Sequence, residues 1–158
     1  MAPVTIVPDR ARIENLLARY CLGWDEADLD TLSDCFTDDA TLTLEVPLAG
    51  RVVTRRGRAS IMAAFAASFA ASRTRLRHVV SNVAYELEDG DAATVTAYQQ
   101  VFVVGKTGVR PTTISRLIDR VVREDGGWRF AARRLIFDTA ISTTTAFFTA
   151  PGAAEGEP

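Results

Sequence analysis

Near Leu76 the apolar period of this chain falls from about 3.6 residues to two, and the longer period does not return before Asp138. Helices therefore come first and a run of strands follows, which is the pattern of an α+β fold with helices packed on one face of an antiparallel sheet. Ahead of the switch, Ile13, Leu16, Leu17, Tyr20, Cys21 and Trp24 form one helical stripe, with Asp9 as its expected N-cap. Asp28 caps a short second helix with Leu29, Leu32 and Phe36 on its inner face. A strand over 41–46, a turn at 47–50 and a short partner over 51–54 come next. Gly57 then leads into an alanine-rich third helix. Beyond the switch, strands are expected over about 77–88, 92–104, 112–124 and 128–138, separated by Asp89-Gly90-Asp91, Gly105-Lys106-Thr107-Gly108 and Asp125-Gly126-Gly127.

With 158 residues, 47% of them apolar and 24% charged, the chain fits one soluble domain, read as 1–138, with a C-terminal extension over 139–158. The extension is expected to be flexible from about 151, and Phe147-Phe148 just before it to dock over a pocket mouth or on a neighbouring subunit. A balance of 18 basic against 20 acidic residues gives no overall pull towards nucleic acid or an anionic membrane. Neither a basic-then-apolar leader nor a membrane-length apolar run is present, so a cytoplasmic protein is expected. Cys21 and Cys35 are read as buried thiols, and one histidine cannot complete a Cys/His zinc site, so no metal is expected. No dinucleotide, phosphate-loop or Gly-x-Ser-x-Gly motif occurs either, which leaves cofactor-free acid/base chemistry.

That chemistry centres on His78, the only histidine and so the one side chain with an unperturbed pKa near neutrality. Its bland alternative is an imidazole satisfied by a hydrogen bond at a strand start. The order helix, short helix, hairpin, helix, meander, ending in Asp125-Gly126-Gly127-Trp128-Arg129-Phe130-Ala131-Ala132-Arg133-Arg134, resembles the nuclear transport factor 2-like superfamily. Tyr20 with Asp25, Leu32 to Phe36 before Asp38-Asp39-Ala40, Gly57, and His78 with Asn82 make it most similar to the SnoaL-like branch, among scytalone dehydratase and bile-acid dehydratase relatives. The resemblance implies a cone-shaped α+β barrel, with three N-terminal helices on a curved, mostly antiparallel sheet. It also implies catalytic roles for Tyr20, Asp25 and His78. Where those dehydratases carry a further histidine or aspartate on the following strand, this chain offers Gln99 and Gln100, which hydrogen-bond but do not move protons.

Each role has a physical basis and a plainer rival. Tyr20 on the inner stripe can hold a developing oxyanion, or be an ordinary core tyrosine. Asp25 can orient His78 and stabilise its imidazolium, or be a solvated or capping carboxylate. Trp24, on the same stripe, and Gln99 are candidate substrate contacts. A strict period of two places Asn82 beside Val80, Ala84 and Glu86 as a second polar contact. By the same rule Trp128, Phe130, Ala132 and Arg134 share a face, and this aromatic company selects Arg134 over Arg133 as an anchor for a substrate carboxylate or phenolate. Pairing of that arginine across strands with Asp119 or Glu124 is the alternative.

The expected function is a cofactor-independent dehydratase, isomerase or cyclase acting on a small, apolar, cyclic or polyketide-like carbonyl compound. One alternative is a non-catalytic ligand-binding or assembly module of the same fold. The other is an epoxide hydrolase, which needs paired carboxylates with an arginine between them. A homodimer is expected, with a trimer as the other option, since exposed sheet faces in this architecture pair with another copy.

Overall fold

A computed structural model describes residues 6–72, 74–87, 90–141, 146–149, 151–152 and 154–155. Helix α1 (Ile6–Asp25) begins earlier than Asp9 allows as a cap; Asp9 lies in its first turn and binds Arg123 at 2.8 Å instead. The helix forms because Ile13, Leu16, Leu17, Tyr20 and Cys21 fall on one stripe and are all buried. Near its end Gly23 is required by packing, since a Cβ there would stand 2.9 Å from the Leu32 side chain. Helix α2 (Leu29–Asp34) is capped by Asp28, which accepts hydrogen bonds from the Thr31 backbone N–H at 3.0 Å and its hydroxyl at 2.7 Å. Cys35 ends α2, so of the two thiols only Cys21 is helical, although both are free and buried.

Strand β1 (Phe36–Val46) starts five residues before the expected 41, because Phe36 is already paired with Phe130 of the last long strand. It turns through a 3-10 segment (Pro47–Ala49) into β2 (Arg51–Arg56), and Gly57 with φ of 82° leads into α3 (Arg58–Ala71). The meander is β3 (Leu76–Leu87), β4 (Ala92–Gly105), β5 (Gly108–Glu124) and β6 (Gly127–Phe137). A short helix α4 (Ala146–Thr149) and a two-residue strand β7 (Ala154–Glu155) follow. The sheet order is β3-β4-β5-β6-β1-β2-β7, antiparallel throughout except for the parallel β1–β6 pair. It is a curved, open sheet wrapped round the helices. Within the C-terminal extension, Ala154 and Glu155 pair with Thr54 and Val53. Residues 153 and 156–158 of that tail lie outside the described set.

Two bulges decide which side chains face the helices. In β3, Ser81 opposes Tyr98 and Ala84 opposes Thr96, so Asn82 and Val83 together stand against Ala97. In β6, Ala132 opposes Arg120 and Phe130 opposes Val121, leaving Ala131 unmatched. Each extra residue reverses the alternation beyond it. Inward positions are thus His78 and Val80 and then Val83 and Tyr85 on β3, and Trp128 and Phe130 and then Arg133, Leu135 and Phe137 on β6. The closed end of the cone is filled by Tyr20, Phe36, Phe65 and Phe130, with ring centroids 5.4–6.3 Å apart in edge or tilted contacts. Burying each such ring contributes about 1.5–3 kcal/mol.

Candidate active site

The last turn of α1 carries Tyr20, Trp24 and Asp25, and the sheet brings the start of β3 against it. Asp25 accepts from the Nδ1 of His78 at 2.7 Å and from the His78 backbone N–H at 3.2 Å to each carboxylate oxygen. Both side chains are shut away from water, with 5% of Asp25 and 8% of His78 exposed. Burial holds the His78 imidazole below its ordinary pKa of 6.5, while Asp25 works in the opposite direction. The ring is therefore neutral at neutral pH. Facing a carboxylate, its proton sits on Nδ1, which leaves a lone pair on Nε2.

The Trp24 indole N–H, next to Asp25, donates one turn back to the Tyr20 hydroxyl oxygen at 2.9 Å. The Tyr20 proton thus remains to be donated elsewhere. Burial pushes this phenol well above its ordinary pKa of 10, against the pull of the Arg133 guanidinium, so it acts as a neutral donor. Trp24 also lies 5.8 Å from the His78 ring, placing phenol, imidazole and indole round one space.

That space is a cavity of about 1150 Å³ whose lining includes Tyr20, Trp24, Asp25, His78 and Gln99. Its remaining walls are mainly hydrocarbon, from Leu42, Leu44, Phe69, Leu135 and Phe137. Phe147 and Phe148 of α4 close one side of it. Arg55, fully buried on β2, fixes α4 in place by donating to the Phe147 carbonyl at 3.1 Å and the Pro151 carbonyl at 2.9 Å. Gln99 is 3% exposed, and its Oε1 has no hydrogen-bond partner, so an unmet acceptor lines the cavity. Of the residues expected from sequence, the structure therefore gathers His78, Asp25, Tyr20, Trp24 and Gln99.

Two expected contacts lie elsewhere. Asn82, at the β3 bulge with φ of 54°, is exposed and points away from the cavity. Arg134 is on the outer face, paired with Glu45 and 48% exposed. The β6 bulge gives the inward place to Arg133, whose guanidinium lies 4.0 Å from the Tyr20 ring centroid and 4.4 Å from that of Phe130. Asp119 stands opposite at 3.7 Å, and neither side chain is exposed. Burial raises the Asp119 carboxyl to about 6, with Arg133 opposing. The cross-strand pairing with Asp119 weighed as the alternative for Arg134 thus falls to Arg133, because the bulge leaves no mark in the apolar pattern. Arg116 faces outward and takes no part. A carboxylate–arginine–carboxylate array does occur at the rim, where Arg77 lies 3.9 Å from Asp25 and 3.3 Å from Glu26. Glu26 is 67% exposed, however, and Asp25 is committed to His78, so the array lacks the enclosed paired acids that epoxide opening requires. Among the described residues no group of three or more His, Cys, Asp or Glu could hold a metal ion, and no helix is long and apolar enough to cross a membrane.

A helix-lined, open cone with an aspartate–histidine pair in its cavity defines a class, and the family model for the SnoaL-like domain matches residues 5–134: the chain belongs to that family. Among solved structures, a Mycobacterium tuberculosis protein of unknown function is 31% identical, with a TM-score of 0.74 over 95% of this chain and 88% of its own. A Novosphingobium aromaticivorans protein provisionally named an aromatic ring hydroxylase is 28% identical, with a TM-score of 0.70 over 86% of this chain and 93% of its own. A nuclear transport factor 2-like protein with a cystatin-like fold from the same bacterium shares the fold at 24% identity, with a TM-score of 0.72 over 90% of each chain. No curated protein matches the chain.

Proposed function

We propose that this protein is a cofactor-independent acid/base enzyme, a dehydratase, isomerase or cyclase, acting on a small, largely apolar, cyclic or polyketide-like compound with a carbonyl group. The observation that carries the reading is the water-shielded Asp25–His78 pair opening onto the same cavity as the Tyr20 hydroxyl. His78 Nε2 takes a proton from the carbon next to the carbonyl, and the C–H electron pair moves to the carbonyl oxygen as an enolate. The Tyr20 O–H, supported from behind by Trp24, hydrogen-bonds that oxygen. Asp25 meets the positive charge that arrives on the imidazole. The imidazolium then gives its proton to a departing hydroxyl, releasing water, or to a different carbon, moving the double bond. Gln99 supplies one further polar contact, and the aromatic walls exclude water.

The test follows cyclic ketones and β-hydroxyketones in deuterated buffer by proton NMR, reading α-proton exchange, elimination or isomerisation. His78→Gln is expected to lower the rate by about 10²–10⁴-fold while ligand affinity persists. Binding without turnover in the unaltered chain identifies a non-catalytic module instead, and turnover indifferent to His78→Gln removes His78 from the mechanism.

A further inference from the structure

We propose that the groove between the first half of α1 and the β5–β6 turn is a second ligand site, one that takes a small molecule bearing a phosphate or carboxylate group. The groove has a volume of about 540 Å³ and shares no lining residue with the cavity. Arg12, Asn15 and Arg19 project into it from one stripe of α1, and Trp128 and Arg129 face them from the start of β6. Three arginines against Asp34 make this lining basic on a chain whose net charge is −2.

These arginines differ from their neighbours in how they are paired. Arg10 and Arg123 meet carboxylates at 3.1 and 2.8 Å. In the groove, Arg19 stands 3.8 Å from Asp34, and Arg129 divides one nitrogen between Glu124 at 3.4 Å and Asp125 at 3.8 Å. Arg12 has no ion-pair partner among the described residues. Long contacts to solvated acids contribute little, so these guanidinium groups keep their donors available for a closer oxyanion. The wall adds an independent sign. Trp128 is 5% exposed, and its indole N–H is buried with no hydrogen-bond partner, a donor left unsatisfied at a cost that native structures seldom carry. Planar guanidinium forks match the paired oxygens of a carboxylate or phosphate, which is why the ligand is assigned an oxyanion and not a neutral polar group.

The experiment titrates inorganic phosphate and, separately, citrate into the full chain, with chloride at matched ionic strength as control. Heat is followed calorimetrically, and tryptophan fluorescence is followed in a Trp24→Phe background, where Trp128 is the sole tryptophan. Saturable one-site binding of either anion is expected, weakened about tenfold by Arg12→Gln and again by Arg19→Gln. It should be unchanged by His78→Gln, which alters the cavity alone. Whichever anion binds identifies the oxyanion. Signals no different from chloride, binding that survives loss of both arginines, or binding abolished by His78→Gln would each overturn the proposal.

Discussion

Asp25→Asn isolates what the Asp25 charge does to His78, and the single histidine makes the result readable without a substrate. The aspartate accepts from two donors of one residue, Nδ1 at 2.7 Å and the backbone N–H at 3.2 Å. Asparagine keeps one acceptor oxygen but presents an NH2 in place of the other, so one buried donor of His78 loses its partner, at about 1–3 kcal/mol. The lost charge acts on the imidazolium alone. At a separation of about 4 Å and an effective dielectric constant of about 20, that attraction is worth about 4 kcal/mol. Burial remains and its counterweight goes, so the imidazole pKa, already below 6.5, falls further. In both proteins the folded chain binds fewer protons than the unfolded chain just below pH 6.5, so this group's stability contribution is intact above 6.5 and is lost as pH falls through the folded-state pKa. The assay is an NMR titration of the lone Hε1–Cε1 signal, with urea unfolding at several pH values. A wild-type midpoint at or above 6.5, or an Asp25→Asn midpoint no lower than wild type, would refute the reasoning.

Breaking the Asp119–Arg133 pair from either side, with Asp119→Leu or Arg133→Met, should cost about 3–5 kcal/mol in urea unfolding, while the double variant should lie closer to wild type than either single one. Asp119, raised to about 6, favours the folded chain in acid and loses that contribution as pH rises through 6; Asp119→Asn should remove this component from the stability profile. Arg55→Met removes the donors that hold the Phe147 and Pro151 carbonyls, and amide hydrogen exchange over 146–149 should quicken by about 100-fold, as the loss of roughly 3 kcal/mol of local hydrogen bonding requires. Val79, Tyr98 and Ile114 are exposed on the outer sheet face, and light scattering should find a homodimer that Tyr98→Glu dissociates; a wild-type monomer counts against pairing through this face.

Much of the architecture can be read from local pattern, because a helix and a strand each impose a fixed period on their buried side chains. The α1 stripe, the Asp28 cap and the hairpin turns are of this kind, and with them the positions of Tyr20, Trp24 and His78 on elements that face inward. What local pattern did not hold is parity across a bulge. One unmatched residue at Ala131 exchanges Arg134 for Arg133, and the two-against-one step at Asn82 turns that side chain out to solvent. A bulge arises where two strands of unequal local length are forced into one ladder, so its position depends on the partner strand and the curvature of the whole sheet. The same holds for Asp25 meeting His78 and for Arg55 seizing Phe147, contacts 53 and 92 residues apart in the chain. Sequence alone determined the repertoire of titratable groups and hydrocarbon; the tertiary structure decided which members of it share one cavity, because long-range pairing fixes distance and burial, and these set the strength of every charge.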